Sequence, residues 1–138
     1  MTTLNYRDLI DGALYTKLNV AAVTDLADGP YNTVAPNEAE SPYVLFSLQS
    51  MNRDDWAFDG EGCEALYLVK VVFQSGWPHA QEAVDTQIIA ALHDQTLTVS
   101  GGTNIYIRRQ TDIRYSEEIG GRRWWHCGGS YKIICNDN

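Results

Sequence analysis

The residues of this chain that could do chemistry fall into three groups. Asp54, Asp55, Asp59, Glu61 and Glu64 form an acidic stretch, His126 adjoins Cys127, and Arg122-Arg123-Trp124-Trp125 joins two cations to two indoles. The acidic stretch invites a calcium loop, but it fails the spacing. With Asp55 first and Gly60 sixth, Ala57 takes the third position and Leu66 the twelfth, where carboxylates are needed. A solvated or partner-facing loop fits it better. His126 and Cys127 are neighbours on one strand, so they point to opposite faces and cannot converge on one atom. His79 and His93 stand at opposite ends of a predicted helix, about 20 Å apart at about 1.5 Å per residue. None of these spacings matches a zinc signature. Ser100-Gly101-Gly102 and Cys127-Gly128-Gly129-Ser130 lack the lysine of a phosphate loop and read as turns or strand bends. The residues therefore predict no catalytic set, no metal and no cofactor.

The basic-aromatic cluster is the best candidate for a site. Trp and Arg are over-represented among interface hot spots, so Arg122, Arg123 and Trp124, with Arg108 and Arg109 in the same terminal strands, are candidates for a protein interface. The plainer alternative is a hairpin with Trp125 in the core and its arginines solvated. Stacking on single-stranded nucleic acid is a third reading. Asp54, Asp55, Asp59 and Glu61 are the complementary acidic candidates.

These groups must be positioned by a small fold. The chain has 138 residues, which suits one domain, and its 44% apolar content is that of a folded protein. No apolar run approaches the roughly 20 residues of a membrane helix, and Met1–Ile10 shows no apolar signal region. The expectation is a soluble protein without an export signal. Three cysteines, Cys63, Cys127 and Cys135, argue against a disulfide framework and for a reducing compartment. Cys127 and Cys135 fall in one predicted strand about 26 Å apart, so they are expected as small buried hydrophobes. The net charge of −8 is uneven: residues 1–64 carry all of it, and residues 65–138 are neutral with most of their cations in the last strands. An acidic chain is a poor candidate for gripping nucleic acid.

Apolar spacing predicts a helix over Tyr6–Leu18, with Asn5 as its cap, and a short second helix in Val20–Leu26. Asp28-Gly29-Pro30 breaks the chain, and Tyr31–Ser41 reads as an ordered loop. Tyr43–Ser50 alternates as a strand, Met51–Glu64 reads as an extended hairpin loop, and Ala65–Gln74 is apolar on both faces, as a central strand would be. Pro78–His93 is predicted as a long helix with Val84, Ile88 and Leu92 on its buried stripe. Asn104–Cys135 reads as two strands around Gly120-Gly121, a pair suited to positive φ. The expected fold class is α+β: a mostly antiparallel sheet of about four to five strands, with an N-terminal helix and one long helix packed on one face, in a single domain spanning residues 1–138.

This order of elements resembles the tail terminator, or tail completion, proteins of long-tailed bacteriophages. The similarity spans nearly the whole chain: two opening helices, the approach through Pro36, and the strand Ser41-Pro42-Tyr43-Val44-Leu45-Phe46. It continues through the central strand Leu68-Val69-Lys70-Val71-Val72-Phe73-Gln74, the alanine-rich helix Ala80–Leu92 and the final strand Trp124–Ile134. The Trp124-Trp125 pair and the three cysteines depart from that pattern. The resemblance implies a structural virion protein, not an enzyme, made in the bacterial host's cytoplasm and located at the head–tail junction. It implies a homohexameric ring that caps the tail tube, stops its growth and meets the head connector or head completion protein. DNA would pass through the centre without specific binding, past an acidic lining, and no membrane is involved. A different head–tail connector component, or a small cytoplasmic α+β ligand-binding domain, is the alternative.

Overall fold

The computed structural model describes residues 4–57 and 60–137, with the side chains of residues 54–57, 60 and 61 outside that description. Helix α1 covers Tyr6–Leu18, as its apolar spacing predicts, and α2 is a single turn at Ala21–Thr24. The Asn5 side chain accepts from the Asp8 backbone N–H, closing the first turn of α1. Five strands follow: β1 (Asp28–Asn32), β2 (Tyr43–Ala57), β3 (Gly60–Gln74), β4 (Gly102–Ile119) and β5 (Arg122–Asp137), with helix α3 (Glu82–Leu92) between β3 and β4. They form one sheet in the order β1-β2-β3-β5-β4, antiparallel except where β1 runs parallel to β2.

Three expectations need correction. The long helix is an 11-residue, three-turn helix beginning at Glu82. Before it, the Ala80 N–H reaches the Trp77 carbonyl and the Glu82 N–H reaches that of His79. These are three-residue turns, and Pro78 contributes no donor to lengthen them into a helix. The second correction concerns Met51–Glu64, which is not a loop: its described residues continue β2 and β3. Asn52 pairs with Glu64, Arg53 with Cys63 and Asp54 with Gly62. Polar and glycine residues with weak strand preference are held there because β3 is also paired on its other side, Cys63 lying opposite Cys135. Finally, Asp28–Asn32 is a strand. Gly29 takes φ 101°, a conformation open to glycine, and a register shift beside it lets this short strand run along β2.

One face of the sheet carries the core. Tyr6, Ile10, Leu14 and Leu18 of α1 and Val84, Ile88 and Leu92 of α3 bury against Val44, Phe46, Tyr67, Val69, Val71, Tyr131 and Ile133. Polar threads fasten the helices. Tyr67 donates to Asp11 of α1 at 2.5 Å, and Tyr6 donates to Asp137 at the far end of the chain. The three cysteines are free and buried, as their sequence setting predicts. The Cys63 thiol hydrogen-bonds to Cys135 across the ladder, which together with burial pushes its pKa up. Among the described residues no helix is long and apolar enough to cross a membrane.

Candidate functional site

The arrangement nearest to a chemical site lies where α3 meets the end of the sheet. A groove of about 510 Å³ runs between α3 and β4, lined by Glu82, Asp85, Arg109, Asp112, Arg114 and Cys127 among others. Carboxylate oxygens of Glu82 and Asp85 and the Cys127 sulfur lie within 4.8 Å of one another. Each is already engaged. Both Asp85 oxygens accept from Arg109 at 2.8 Å, and Cys127 donates to Glu82 at 3.0 Å, with Arg114 3.4 Å from the same oxygen. Burial and the Glu82 carboxylate push the Cys127 thiol up to about 12, so at neutral pH it holds its proton. A protonated thiol is a poor nucleophile, and the guanidiniums of Arg109 and Arg114 already occupy the carboxylates beside it. In the groove these side chains fasten α3 to β4 and β5.

Arg109 is the centre of that fastening. Beyond Asp85 it donates to Tyr131 at 3.1 Å, to the Gly128 carbonyl at 2.6 Å and to Asp112 at 3.0 Å. Burial opposes its charge, but the hydrogen bonds to Asp85 and Tyr131 outweigh that and hold the guanidinium charged. The neighbouring glycines make room for it. A Cβ on Gly129 would fall inside the Arg109 side chain and against the Thr111 carbonyl, and one on Gly128 would approach the Lys70 Cα to 2.6 Å. The Cys127-Gly128-Gly129-Ser130 stretch, read from sequence as a bend, is thus the floor on which Arg109 lies. Its signal was two adjacent glycines inside a strand, a mark of close approach by another group.

The other interface candidates divide into two places. Arg122, Arg123 and Trp124 stand together at the β4–β5 turn, where Gly120 and Gly121 both take positive φ. Arg122 and Arg123 are exposed, Arg123 donating to Ser116 at 2.8 Å. Trp124 is half-buried, while Trp125 packs toward the core and donates to the Ser75 carbonyl at 2.9 Å. Arg108 pairs with Asp94 at 3.0 Å and lies opposite Lys132, ten residues of strand from Arg122, or about 33 Å. Arg109 beside it is spent inside the fold. Of the acidic candidates, Asp54 and Asp55 lie on β2 and Glu61 on β3, with side chains outside the described residues, as is the whole of Asp59. The pairing of Gly62 with Asn136 and of Gln74 with Trp124 puts the β2–β3 turn and the β4–β5 turn at opposite ends of the sheet, about 40 Å apart.

A cluster that sequence reasoning missed lies on the face away from the helices. Tyr115 stacks on His126 with ring centroids 4.5 Å apart, Lys70 donates to the Tyr115 hydroxyl at 2.9 Å, and His126 Nε2 meets Glu117 at 2.7 Å. Burial and the nearby Lys70 charge lower the His126 pKa against the pull of Glu117. The ring is therefore neutral at neutral pH, and its link to Glu117 is a hydrogen bond. These residues come from three strands, and only the register brings them together.

No family model and no curated protein matches the chain. Solved structures do match it in fold. A chain from the virion of a native gene transfer agent particle superposes with a TM-score of 0.74 at 18% identity, covering 97% of this chain and 99% of that one. A second solved chain gives a TM-score of 0.57 at 14% identity over 96% of this chain and 95% of its own. At such identities the likeness is one of fold, and it extends over the whole domain.

Proposed function

We propose that this chain is a structural virion protein that caps a phage-type tail tube as a ring, ends tail polymerisation and forms the head–tail joining interface. One observation carries the reading: the fold is shared from end to end with a chain of a gene transfer agent virion. The element order that resembles tail terminators supports the finer role. In the groove between α3 and β4 the Asp85, Arg109, Glu82 and Cys127 side chains engage one another, which favours a structural component over a ligand-binding domain. Arg122, Arg123 and Trp124 are the residues assigned to a partner at the junction, with tube protein and connector as the candidates. The acidic residues Asp54, Asp55, Asp59 and Glu61 are assigned to the channel, where like charge keeps passing DNA from adhering.

Electron microscopy of particles lacking the protein tests the role. Tails of uncontrolled length, or heads and tails that fail to join, are expected; normal particles remove the reading. In the same preparation Arg122→Glu combined with Arg123→Glu is expected to lower the fraction of joined particles while leaving the purified protein's melting temperature unchanged. Full joining in that double variant would take the junction contact away from this turn.

A further inference from the structure

Both α1 and α3 pack on one side of the sheet, and among the described residues no helix covers the other. On that open side stand Leu45 of β2, Leu66 and Leu68 of β3, Ile113 of β4 and Ile134 of β5, alternating with the core residues of the same strands. Each is half-buried, and Tyr115 of β4 beside them is 44% exposed. An antiparallel sheet facing water normally carries polar side chains on that face. This one carries leucine, isoleucine and aromatic residues across four strands, which marks an interaction surface.

We infer that this open face is where a second copy of the chain docks, making it the subunit-to-subunit contact of the assembly; the inference rests on the ring reading above. Size and charge point to that occupant. Four strands about 4.8 Å apart, over about eleven residues at about 3.3 Å each, give a face of roughly 700 Å². That is close to the roughly 800 Å² each partner buries in a standard specific contact. The charges on the face balance in number: Lys132 pairs with Glu64 at 2.9 Å and Arg108 with Asp94, while Lys70, hydrogen-bonded to the neutral Tyr115 hydroxyl, is matched by Glu117 beside His126. A nucleic acid needs a surplus of cations, and among the described residues the cations here are balanced by carboxylates. A second copy of a chain carrying −8 needs the opposite, a locally neutral patch where like charges do not meet.

Sedimentation of the full chain, from low micromolar to sub-millimolar concentration, tests the contact. The wild-type chain is expected to self-associate. Leu68→Lys, and independently Leu45→Lys, should weaken that association at least about tenfold, whereas Ala90→Lys on the exposed side of α3 should leave it unchanged. Circular dichroism shows which variants are folded. A chain that stays monomeric throughout, or folded Leu68→Lys and Leu45→Lys variants that associate like wild type, overturns the contact. So does a Leu68→Lys variant that loses only binding to tail tubes, which would give the face to the tube protein. The particle micrographs decide the ring reading separately: uncontrolled tails alongside association insensitive to Leu68→Lys would sink the contact and keep the terminator.

Discussion

The two faces of the sheet are built from the same strands and obey different rules. On the helix face the apolar core is buried and its central charged pair is locked: Asp85 and Arg109 have side chains 8% and 10% exposed and satisfy each other through two hydrogen bonds. On the open face, leucines stay half-buried, and the polar pairs Lys132–Glu64 and Lys70–Tyr115 lie in partly exposed positions. The helix face is the product of folding. The open face has the composition of a core with one layer missing, and its residues contribute little until something covers them. A protein whose stability sits on one side of a sheet can afford variation on the other, where contacts with other molecules are chosen.

The sharpest way to break this contrast is Gly129→Ala. The added methyl displaces Arg109 from the strand and so strands Asp85, and a loss of more than about 4 kcal/mol in urea unfolding is expected. A loss below about 1 kcal/mol would mean that the Arg109 lock is not what fastens α3. Next comes Asp85→Ala, which leaves a buried guanidinium without its carboxylate; about 3 kcal/mol should disappear, since removing one partner of a buried pair costs far more than the pair is worth. His126 probes the open face through pH. Its folded pKa lies below the ordinary 6.5, so the unfolded chain takes up the proton first and stability falls as pH drops through and below about 6.5. The stability difference between wild type and His126→Gln should therefore shrink in wild type's disfavour over that range; a parallel pair of curves would show that the ring does not titrate differently on folding. Smallest of all, Leu68→Lys should change monomer stability by no more than about 1 kcal/mol. A larger loss would move Leu68 into the core and erase the distinction between the faces.

How much of this was legible in the residues depended on whether a pattern was local. Helix α1 and the β4–β5 turn at Gly120-Gly121 follow from spacing and from glycine's access to positive φ, and both stand where predicted. The far arms of β2 and β3 were not legible because Asn52, Asp54 and Gly62 have little strand preference of their own; Asn52 and Asp54 are held by pairing with β3, which is itself held on its other side by β5, where Gly62 meets Asn136. The same holds for β1, whose glycine and proline read as a break. Arg109 was legible as a cation but not as an internal one, since its partner Asp85 lies 24 residues away on another element. The Tyr115–His126–Glu117 cluster depended on register, which alternation alone does not give.

The hydrogen bond from Tyr6 to Asp137 joins residues 131 positions apart. During synthesis α1 leaves the ribosome early, but the strand that carries its anchor is the last element to appear. The helix can pack on β2 and β3 and meet Tyr67 once those strands pair, but its Tyr6 anchor closes only when β5 has been released. Contacts of such long sequence separation slow folding, and the waiting chain shows apolar surface to its surroundings. Stalling translation before β5 should leave α1 open to protease, and releasing the chain should close it. In this protein the first helix is sealed by the fifth strand, which makes release of that strand a condition for a closed core.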